Sequence, residues 1–205
     1  MSRVLVVSRT RMNQGRVCVG GHDLDQDFRS LRLLTKGGMN IKEDAGIDVG
    51  EVWELGYEDH SEPDPPHVED VLVSEGKRAE TLTSSEVRAL ILENETPWAG
   101  SPDVLFSGTV AATPNGRVYV PGEGPLPSRS TGYWTPDDEI VKHMAFGKVK
   151  FLYIGGSELN EFTWAGMADP PPRIAPGTLV RISLARWHDP ASAPAGYYVQ
   201  ISGVY

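Results

Sequence analysis

The sequence predicts an all-β protein whose short strands form two small Greek-key barrels in tandem, accompanied by two short helices. Three observations support this fold class. The 205 residues include 22 glycines and 16 prolines, a composition typical of chains with many turns. Apolar residues alternate with polar ones over short runs, which is the period of a half-buried strand. These runs follow one another at close spacing with turn residues between them, as in small barrels.

The first 80 residues are expected to form the N-terminal barrel. Five runs have strand character, namely RVLVVS, GRVCVGGHD, FRSLRLL, VGEVWELGYE and VEDVLV. Gly20 and Gly21 predict a bulge or bend within the second run. The segment HSEPDPPH predicts a loop before the fifth strand, because its prolines cannot donate to a β ladder. Five short strands without a helix among them favour a small closed sheet.

Residues 81–100 are expected to be a helical linker between the two halves. In LTSSEVRALILENE, Thr83 is placed as the N-cap and Glu86 stands at the third helical position, which together make a capping box. Val87 and Ile91 belong to one apolar stripe. The following TPWAGSP ends the helix.

Residues 101–205 are expected to form the C-terminal barrel. Asn115-Gly116 predicts a tight turn between two strands, KVKFLYIGG predicts another strand, and LVRISLARW and YYVQISGVY predict the closing pair. The segment TPDDEIVKHMAFG predicts the second short helix, because Thr135 can cap it, Pro136 suits its first position and Gly147 can stop it. A helix within a series of strands is what a Greek-key barrel of the OB type carries.

The charge of the chain is unevenly distributed. The net charge of −9 argues against bulk affinity for nucleic acid, which depends on Lys and Arg releasing counterions from phosphates. Residues 1–42 nevertheless hold eight basic and three acidic residues, whereas residues 43–80 hold two basic and thirteen acidic ones. Two interpretations stay open: the segments neutralise each other, or they form a basic and an acidic face with different partners.

The sequence features bearing on location point to the cytoplasm. Cys18 is the sole cysteine, so no internal disulfide can form. We find neither a signal peptide nor an apolar run long enough to span a membrane. A cytoplasmic protein without membrane contact is therefore expected.

The closing strands offer the first candidate binding face. Val180, Ile182 and Leu184 alternate with Arg181 and Ser183, so one face is apolar and the other polar. Arg and aromatic side chains on such a face can hold phosphates and stack on bases. The candidate residues here are Arg181, Arg186, Trp187 and Tyr198. Two alternatives remain: Trp187 and Tyr198 fill a second small core, and Arg186 pairs with an acid such as Asp189.

The second candidate face lies on strands two and three of the N-terminal barrel. OB barrels bind chains across these two strands. Arg16, Arg29 and Arg32 belong to them and are predicted to contact nucleic acid. The acidic segment 43–80 favours the alternative in which these arginines pair with the chain's own carboxylates.

Catalytic and metal-binding motifs are weak. His22 with three alternate aspartates lacks the frame of a calcium loop, and His60 with His67 lacks the spacing of a helical zinc motif. No catalytic residue, metal or cofactor is predicted. An enzyme remains the third option, as a metal-dependent phosphodiesterase using His22, Asp23, His60 and His67.

Four blocks of sequence carry a resemblance to a known family. RVLVVSRTRM with RVCVGGHD, then RSLRLL, VGEVWEL with PPHVEDVLV, and RISLARW with YYVQISGVY together resemble the dual OB-containing family, a group of mostly prokaryotic proteins. The resemblance spans nearly the whole chain and implies two OB-like barrels. It further implies a binding or interaction module linked to prokaryotic conflict systems, and it supplies no catalytic residues.

The expected function is therefore a non-enzymatic binding module for single-stranded nucleic acid or a nucleotide in a prokaryotic conflict or defence context. The alternative is a protein–protein adaptor for a neighbouring effector encoded in the same operon.

Overall fold

The fold is described from a computed structural model for residues 1–156, 159–191 and 193–205. The chain divides into two compact units. Unit 1 comprises Met1–Glu95 with Gly166–Ala168 and Tyr205, and unit 2 comprises Thr96–Ala165 with Asp169–Val204. In the described part of the chain, no helix has both the length and the hydropathy that a bilayer-spanning segment needs.

Unit 1 contains a closed five-stranded barrel. Its elements are β1 (Ser2–Arg11), β2 (Arg16–Asp23), β3 (Arg29–Thr35), β4 (Ile41–Lys42), a 3-10 helix (Glu43–Ala45), β5 (Glu51–Asp59), β6 (Asp70–Thr81) and α1 (Ser84–Asn94). The strand β1 pairs with both β2 and β5, β2 pairs with β3, β6 pairs with β5, and β3 pairs with β6 in parallel. This order, β1–β2–β3–β6–β5 and back to β1, closes the sheet.

The interior of this barrel is filled by the apolar residues that alternation predicts. It holds Val4, Val6, Val17, Val19, Leu31, Leu33, Ile41, Leu55 and Val71. The register of β1 shifts between Val6 and Ser8, so the extra residue of the bulge is Val7 in β1, opposite Gly20 and Gly21, and not a residue of the second run as predicted. A Cβ on Gly21 would lie 2.8 Å from the carbonyl oxygen of Leu5, which explains the glycine at the bulge.

The helix α1 has the capping box that the sequence predicts. Thr83 accepts a hydrogen bond from the Glu86 backbone N–H, while the Glu86 carboxylate accepts one from the Thr83 N–H. Val87 and Ile91 are the buried residues of the helix.

Unit 2 contains a second sheet with the same strand order. Its elements are β7 (Trp98–Gly100), a 3-10 helix (Pro102–Gly108), β8 (Ala111–Ala112), β9 (Val118–Pro121), β10 (Thr131–Pro136), β11 (Ile140–Ala145), β12 (Lys148–Tyr153), β13 (Asn160–Trp164), β14 (Arg173–Ile174), β15 (Val180–Leu184) and β16 (Gly196–Val204). The main path runs β11–β12–β13–β16–β15–β10, with β13 and β16 parallel.

The strands at the two ends of this path, β10 and β11, follow each other in the chain and are separated only by residues 137–139. Taken together they act as one first strand that pairs with β12 through one half and with β15 through the other. This is the connectivity of unit 1, and it confirms the predicted all-β fold of two OB-like Greek-key units.

The second predicted helix is wrong. The residues of TPDDEIVKHMAFG end β10 and form β11, which pairs with β12 on one side and β14 on the other. Asp137 and Asp138 occupy the break between β10 and β11, where Asp137 accepts a hydrogen bond from the Tyr153 hydroxyl at 2.6 Å. Strand pairing on both sides overrides the local capping signals.

Candidate nucleic-acid interface

The three arginines predicted on the first barrel are all engaged by their own chain. Arg32 binds both carboxylate oxygens of Asp70, its register partner on the parallel strand β6. Burial alone would lower the pKa of the Arg32 guanidinium, but the hydrogen bonds and charge of Asp70 raise it above its ordinary value. Arg29 pairs with Asp59 at 2.7 Å, and Arg16 donates to the carbonyl oxygen of Asn40 at 2.6 Å.

The outward side of β2 and β3 is not an open surface in unit 1. His22, on the outward side of β2, is buried and stacks on Phe28 with ring centroids 4.1 Å apart. His67 and Glu69, which precede β6, are buried as well. The binding face expected across these strands is therefore covered at His22, whereas Arg16, Ser30 and Arg32 on the same strands are partly exposed.

Ion pairing inside unit 1 follows the self-neutralising interpretation of the charge pattern. Arginines of segment 1–42 meet carboxylates of segment 43–80 in three pairs, Arg9–Asp48, Arg29–Asp59 and Arg32–Asp70. Among the described residues, no group of three or more His, Cys, Asp or Glu side chains converges where it could hold a metal ion.

In unit 2, the prediction that Arg181 is exposed is wrong. The side chain points to the predicted face, but the residue is only 4% exposed. Its guanidinium donates to the Ser202 hydroxyl at 3.0 Å, and that hydroxyl donates to the Arg181 carbonyl oxygen at 3.2 Å. Alternation gave the correct side of the strand, whereas burial depends on what packs against that side.

Tyr198 is also buried, and it organises an aromatic cluster. We use this name for Arg117, Tyr119, His188 and Tyr198. The Arg117 guanidinium lies over the Tyr198 ring, 4.0 Å from its centroid, which is a cation–π contact. Tyr119 stacks on Tyr198 at 5.5 Å, and His188 meets it edge-on at 5.9 Å. The Tyr198 hydroxyl donates to the Pro194 carbonyl oxygen at 2.6 Å.

Next to this cluster, the loop between β15 and β16 exposes Arg186, Trp187 and His188. Trp187 is 49% exposed, and its ring meets Tyr197 edge-on at 5.3 Å. A Cβ on Gly122 would come within 2.2 Å of the Trp187 ring, so the indole lies directly against that backbone. The loop is held in place by two backbone hydrogen bonds: the His188 N–H donates to the Gly196 carbonyl oxygen, and the Gly196 N–H donates to that of His188. Trp187 is thus an exposed ring in a fixed position.

A row of polar side chains crosses the outer face of the second sheet, from β11 to β10. Its members are register partners on successive strands: His143, Lys150, Thr163, Gln200, Ser183 and Thr131. We call this row the polar rung. Within it, the Lys150 ammonium donates to the Thr163 hydroxyl at 2.9 Å and pairs with Glu161 at 3.1 Å. Lys150 is therefore held in place rather than mobile in solvent.

The structure brings together three of the seven predicted site residues, Arg186, Trp187 and Tyr198, in one part of unit 2. It adds three that the sequence interpretation missed, namely Arg117, Tyr119 and His188. The alternation in NGRVYV puts Arg117 and Tyr119 on one face and was the signal available for them. His188 had no such signal, because its place depends on how the loop folds back.

The chain matches a known protein family over nearly its whole length. Residues 2–204 match a family model described as a dual OB-containing domain. No curated protein matches the chain. A solved structure of a murine DNA-binding protein bound with double-stranded DNA aligns over 98% of this chain and 97% of its own, with 10% sequence identity and a TM-score of 0.33. At that TM-score the likeness supports no conclusion about the present chain.

Proposed function

Because the chain belongs to the dual OB-containing domain family, we propose that it is a non-enzymatic module that binds single-stranded nucleic acid or a nucleotide. OB barrels bind oligonucleotides and oligosaccharides across their strands and connecting loops. Fold alone gives only this class of ligand, so the proposal depends on the site. Its prokaryotic conflict or defence context is part of the same proposal and comes from the family resemblance.

The observation that carries the proposal is the half-exposed indole of Trp187, fixed against Gly122 beside the exposed Arg186. A ring held in place can stack on a base at little cost in side-chain entropy. Such stacking contributes about 1–3 kcal/mol per base and is tolerant of sequence. The neighbouring guanidinium supplies a phosphate contact.

The charge of the two halves favours unit 2 as the binding half. Residues 1–95 hold 11 basic and 19 acidic residues, whereas residues 96–205 hold 8 and 9. A nearly neutral barrel repels a polyanion far less than a strongly acidic one does.

The seven predicted site residues differ in how readily each could contact a nucleic acid. Arg186, Trp187 and Tyr198 form the proposed centre. Arg16 and Arg29 are secondary candidates, because a carbonyl and one exposed carboxylate are partners that a phosphate can displace. Arg32 and Arg181 would first have to leave buried partners, which is costly.

Fluorescence anisotropy with a labelled single-stranded oligonucleotide at low salt tests the proposal. We expect Trp187→Ala to weaken binding by about 5- to 150-fold, the equivalent of one lost base stack. Trp187→Phe should retain most of the affinity, and Arg88→Ala, which removes an exposed charge from α1, should leave it unchanged. Equal affinity of wild type and Trp187→Ala would refute this site.

The exposed acidic surface of unit 1 supports a second candidate, a protein–protein adaptor for an effector encoded in the same operon. Glu58, Asp59, Glu75 and Glu80 are exposed on β5 and β6, where they suit a basic protein partner. Co-purification with the products of adjacent genes after nuclease treatment tests this candidate. A stable complex that persists without nucleic acid supports it, and recovery of the chain alone counts against it.

A further inference from the structure

The hairpin formed by β11 and β12 extends beyond the rest of the second sheet. Its strands pair from Ile140 opposite Tyr153 to Ala145 opposite Lys148. The neighbouring strand β13 pairs only from Lys150 onward, and β14 pairs only with Ile140 and Val141. Among the described residues, the ladder partners of 143–149 thus lie within the hairpin itself. We call residues 143–149 the finger.

The tip of the finger carries a residue that the backbone disfavours. Phe146 and Gly147 have φ angles of 52° and 70°, both in the left-handed region, as a two-residue type I′ turn requires. Asn, Asp and Gly suit these positions, whereas a bulky residue with positive φ is strained by about 1–3 kcal/mol.

The strain at Phe146 is not offset by burial, because its side chain is 100% exposed. The Phe146 ring therefore makes no contribution to a core, and its backbone conformation does not stabilise the turn. Met144, two residues earlier, is 65% exposed. The finger therefore presents apolar groups to solvent at a cost in folding free energy, which points to an external partner.

The charge around the tip indicates what kind of partner fits. Residues 141–153 contain three lysines and no acidic residue, in a chain whose net charge is −9. Lys148 is exposed next to the turn and makes no ion pair with any described residue. Lys142 is exposed on the other arm. An aromatic tip between exposed lysines, of which Lys142 donates to the Pro170 carbonyl oxygen at 3.3 Å, suits a polyanion with flat apolar faces, which describes a strand of unstacked bases.

The place of the finger in the sheet agrees with this partner. Since β12 runs antiparallel to β13 and β13 runs parallel to β16, the finger lies at the opposite end of the sheet from the β15–β16 loop. The polar rung crosses the face between these ends. A single strand that contacts both Trp187 and Phe146 would therefore run along the sheet from one end to the other.

We propose that the finger is a base-stacking site for single-stranded nucleic acid, in which the Phe146 ring stacks on one unstacked base and Lys148 holds an adjacent phosphate. This inference rests on the proposed function and deepens it by adding a second contact point at the far end of the face. Double-stranded ligands would have to lose a base pair to use the ring, so they bind more weakly.

The substitution Phe146→Asn separates binding from folding. Asn is favoured at the first position of a type I′ turn, so this variant should melt at or above the wild-type temperature. Its affinity for a labelled single-stranded oligonucleotide should fall about 5- to 20-fold, and Phe146→Trp should keep wild-type affinity. Lys148→Ala should reduce the slope of log affinity against log salt by about 1.

Photo-crosslinking of the wild-type chain to a bromodeoxyuridine oligonucleotide gives an independent readout. Trypsin cleaves after Lys142 and Lys148, so a crosslink to the tip appears on the short peptide HMAFGK. Crosslinks on this peptide, together with the loss of affinity in Phe146→Asn, support the finger.

The outcomes also separate this inference from the proposed function. If Trp187→Ala weakens oligonucleotide binding but Phe146→Asn does not, the finger proposal is overturned and the proposed function stands. The finger proposal is equally overturned if Phe146→Asn loses binding only to vesicles of anionic phospholipid. If the wild type binds no oligonucleotide at low salt, both proposals fall.

Discussion

Two arginines on the same strand show how the surroundings of a residue decide its role. Arg29 and Arg32 have the same chemistry and both face a carboxylate. The pair of Arg32 with Asp70 is mostly buried, with side-chain exposures of 14% and 8%, whereas that of Arg29 with Asp59 is open to solvent at 38% and 66%. The first pair supports the fold, and the second remains available to exchange partners.

The two pairs therefore predict different effects on stability. We expect Arg32→Ala to lower the free energy of unfolding by about 3 kcal/mol, because it leaves Asp70 buried without its partner. Arg29→Ala should cost less than about 1 kcal/mol. Urea denaturation of both variants measures the difference, and similar losses would contradict the assigned environments.

Glu51 predicts a dependence of stability on pH. Its carboxylate is buried, which alone would raise the pKa, but hydrogen bonds from Arg78, the Asp48 N–H and the Trp53 indole lower it below its ordinary value. A lowered pKa in the folded state means that the ionised carboxylate stabilises the fold above its ordinary pKa of 4.5. The contribution is lost as the pH falls through the lowered value.

Chemical denaturation of wild type and Glu51→Gln at a series of pH values measures this effect. The stability gap between them should be largest near neutral pH and should close as the medium becomes acidic. Glu75→Gln, at an exposed position on β6, serves as the control with no gap. A gap for Glu51→Gln that does not change with pH would show that its charge is not what matters.

At single positions, the sequence predicts the direction of a side chain better than its exposure. Alternation correctly placed Val180, Ile182 and Leu184 in the core of the second sheet. It also placed Arg181 and Tyr198 on the opposite face, yet both are buried there. The period of two depends on the strand alone, whereas coverage depends on segments far away in sequence.

At the scale of elements, local signals succeeded where they agreed with the tertiary pairing. The helix α1 has its cap, its apolar stripe and no strand competing for its backbone. The segment 135–147 has equally good capping residues, but two strands pair with its backbone. Its Ile140 lies in the core cluster that also holds Phe151 and Tyr153. Its β-branched Ile140 and Val141 are compatible with both outcomes, so no local feature separates them.

The cap of α1 gives a prediction at this scale. Thr83→Ala removes the hydroxyl that accepts from the Glu86 N–H, so the free energy of unfolding should fall by about 1 kcal/mol. Thr83→Ser keeps an accepting hydroxyl and should stay close to the wild type. Thermal unfolding compares the three proteins, and an unchanged melting temperature in Thr83→Ala would mean that the cap does not stabilise the helix.

At the scale of the whole molecule, the two barrels share a strand order but differ in charge. The sequence made the repetition of strands visible, and with it the tandem barrels. It did not reveal how exposed each predicted site residue is, because exposure depends on pairs such as Arg32–Asp70 and on the loop that exposes Trp187. The acidic half is self-paired around its arginines, and the nearly neutral half holds the exposed aromatic groups.

The proposed function requires a chain of net charge −9 to bind a polyanionic strand on its second barrel. The affinity of the wild-type chain for a labelled single-stranded oligonucleotide across a salt series tests this requirement most directly. With about three phosphates neutralised, log affinity should fall linearly with log salt at a slope of about −2. No binding at the lowest salt, or binding that does not respond to salt, would contradict the claim.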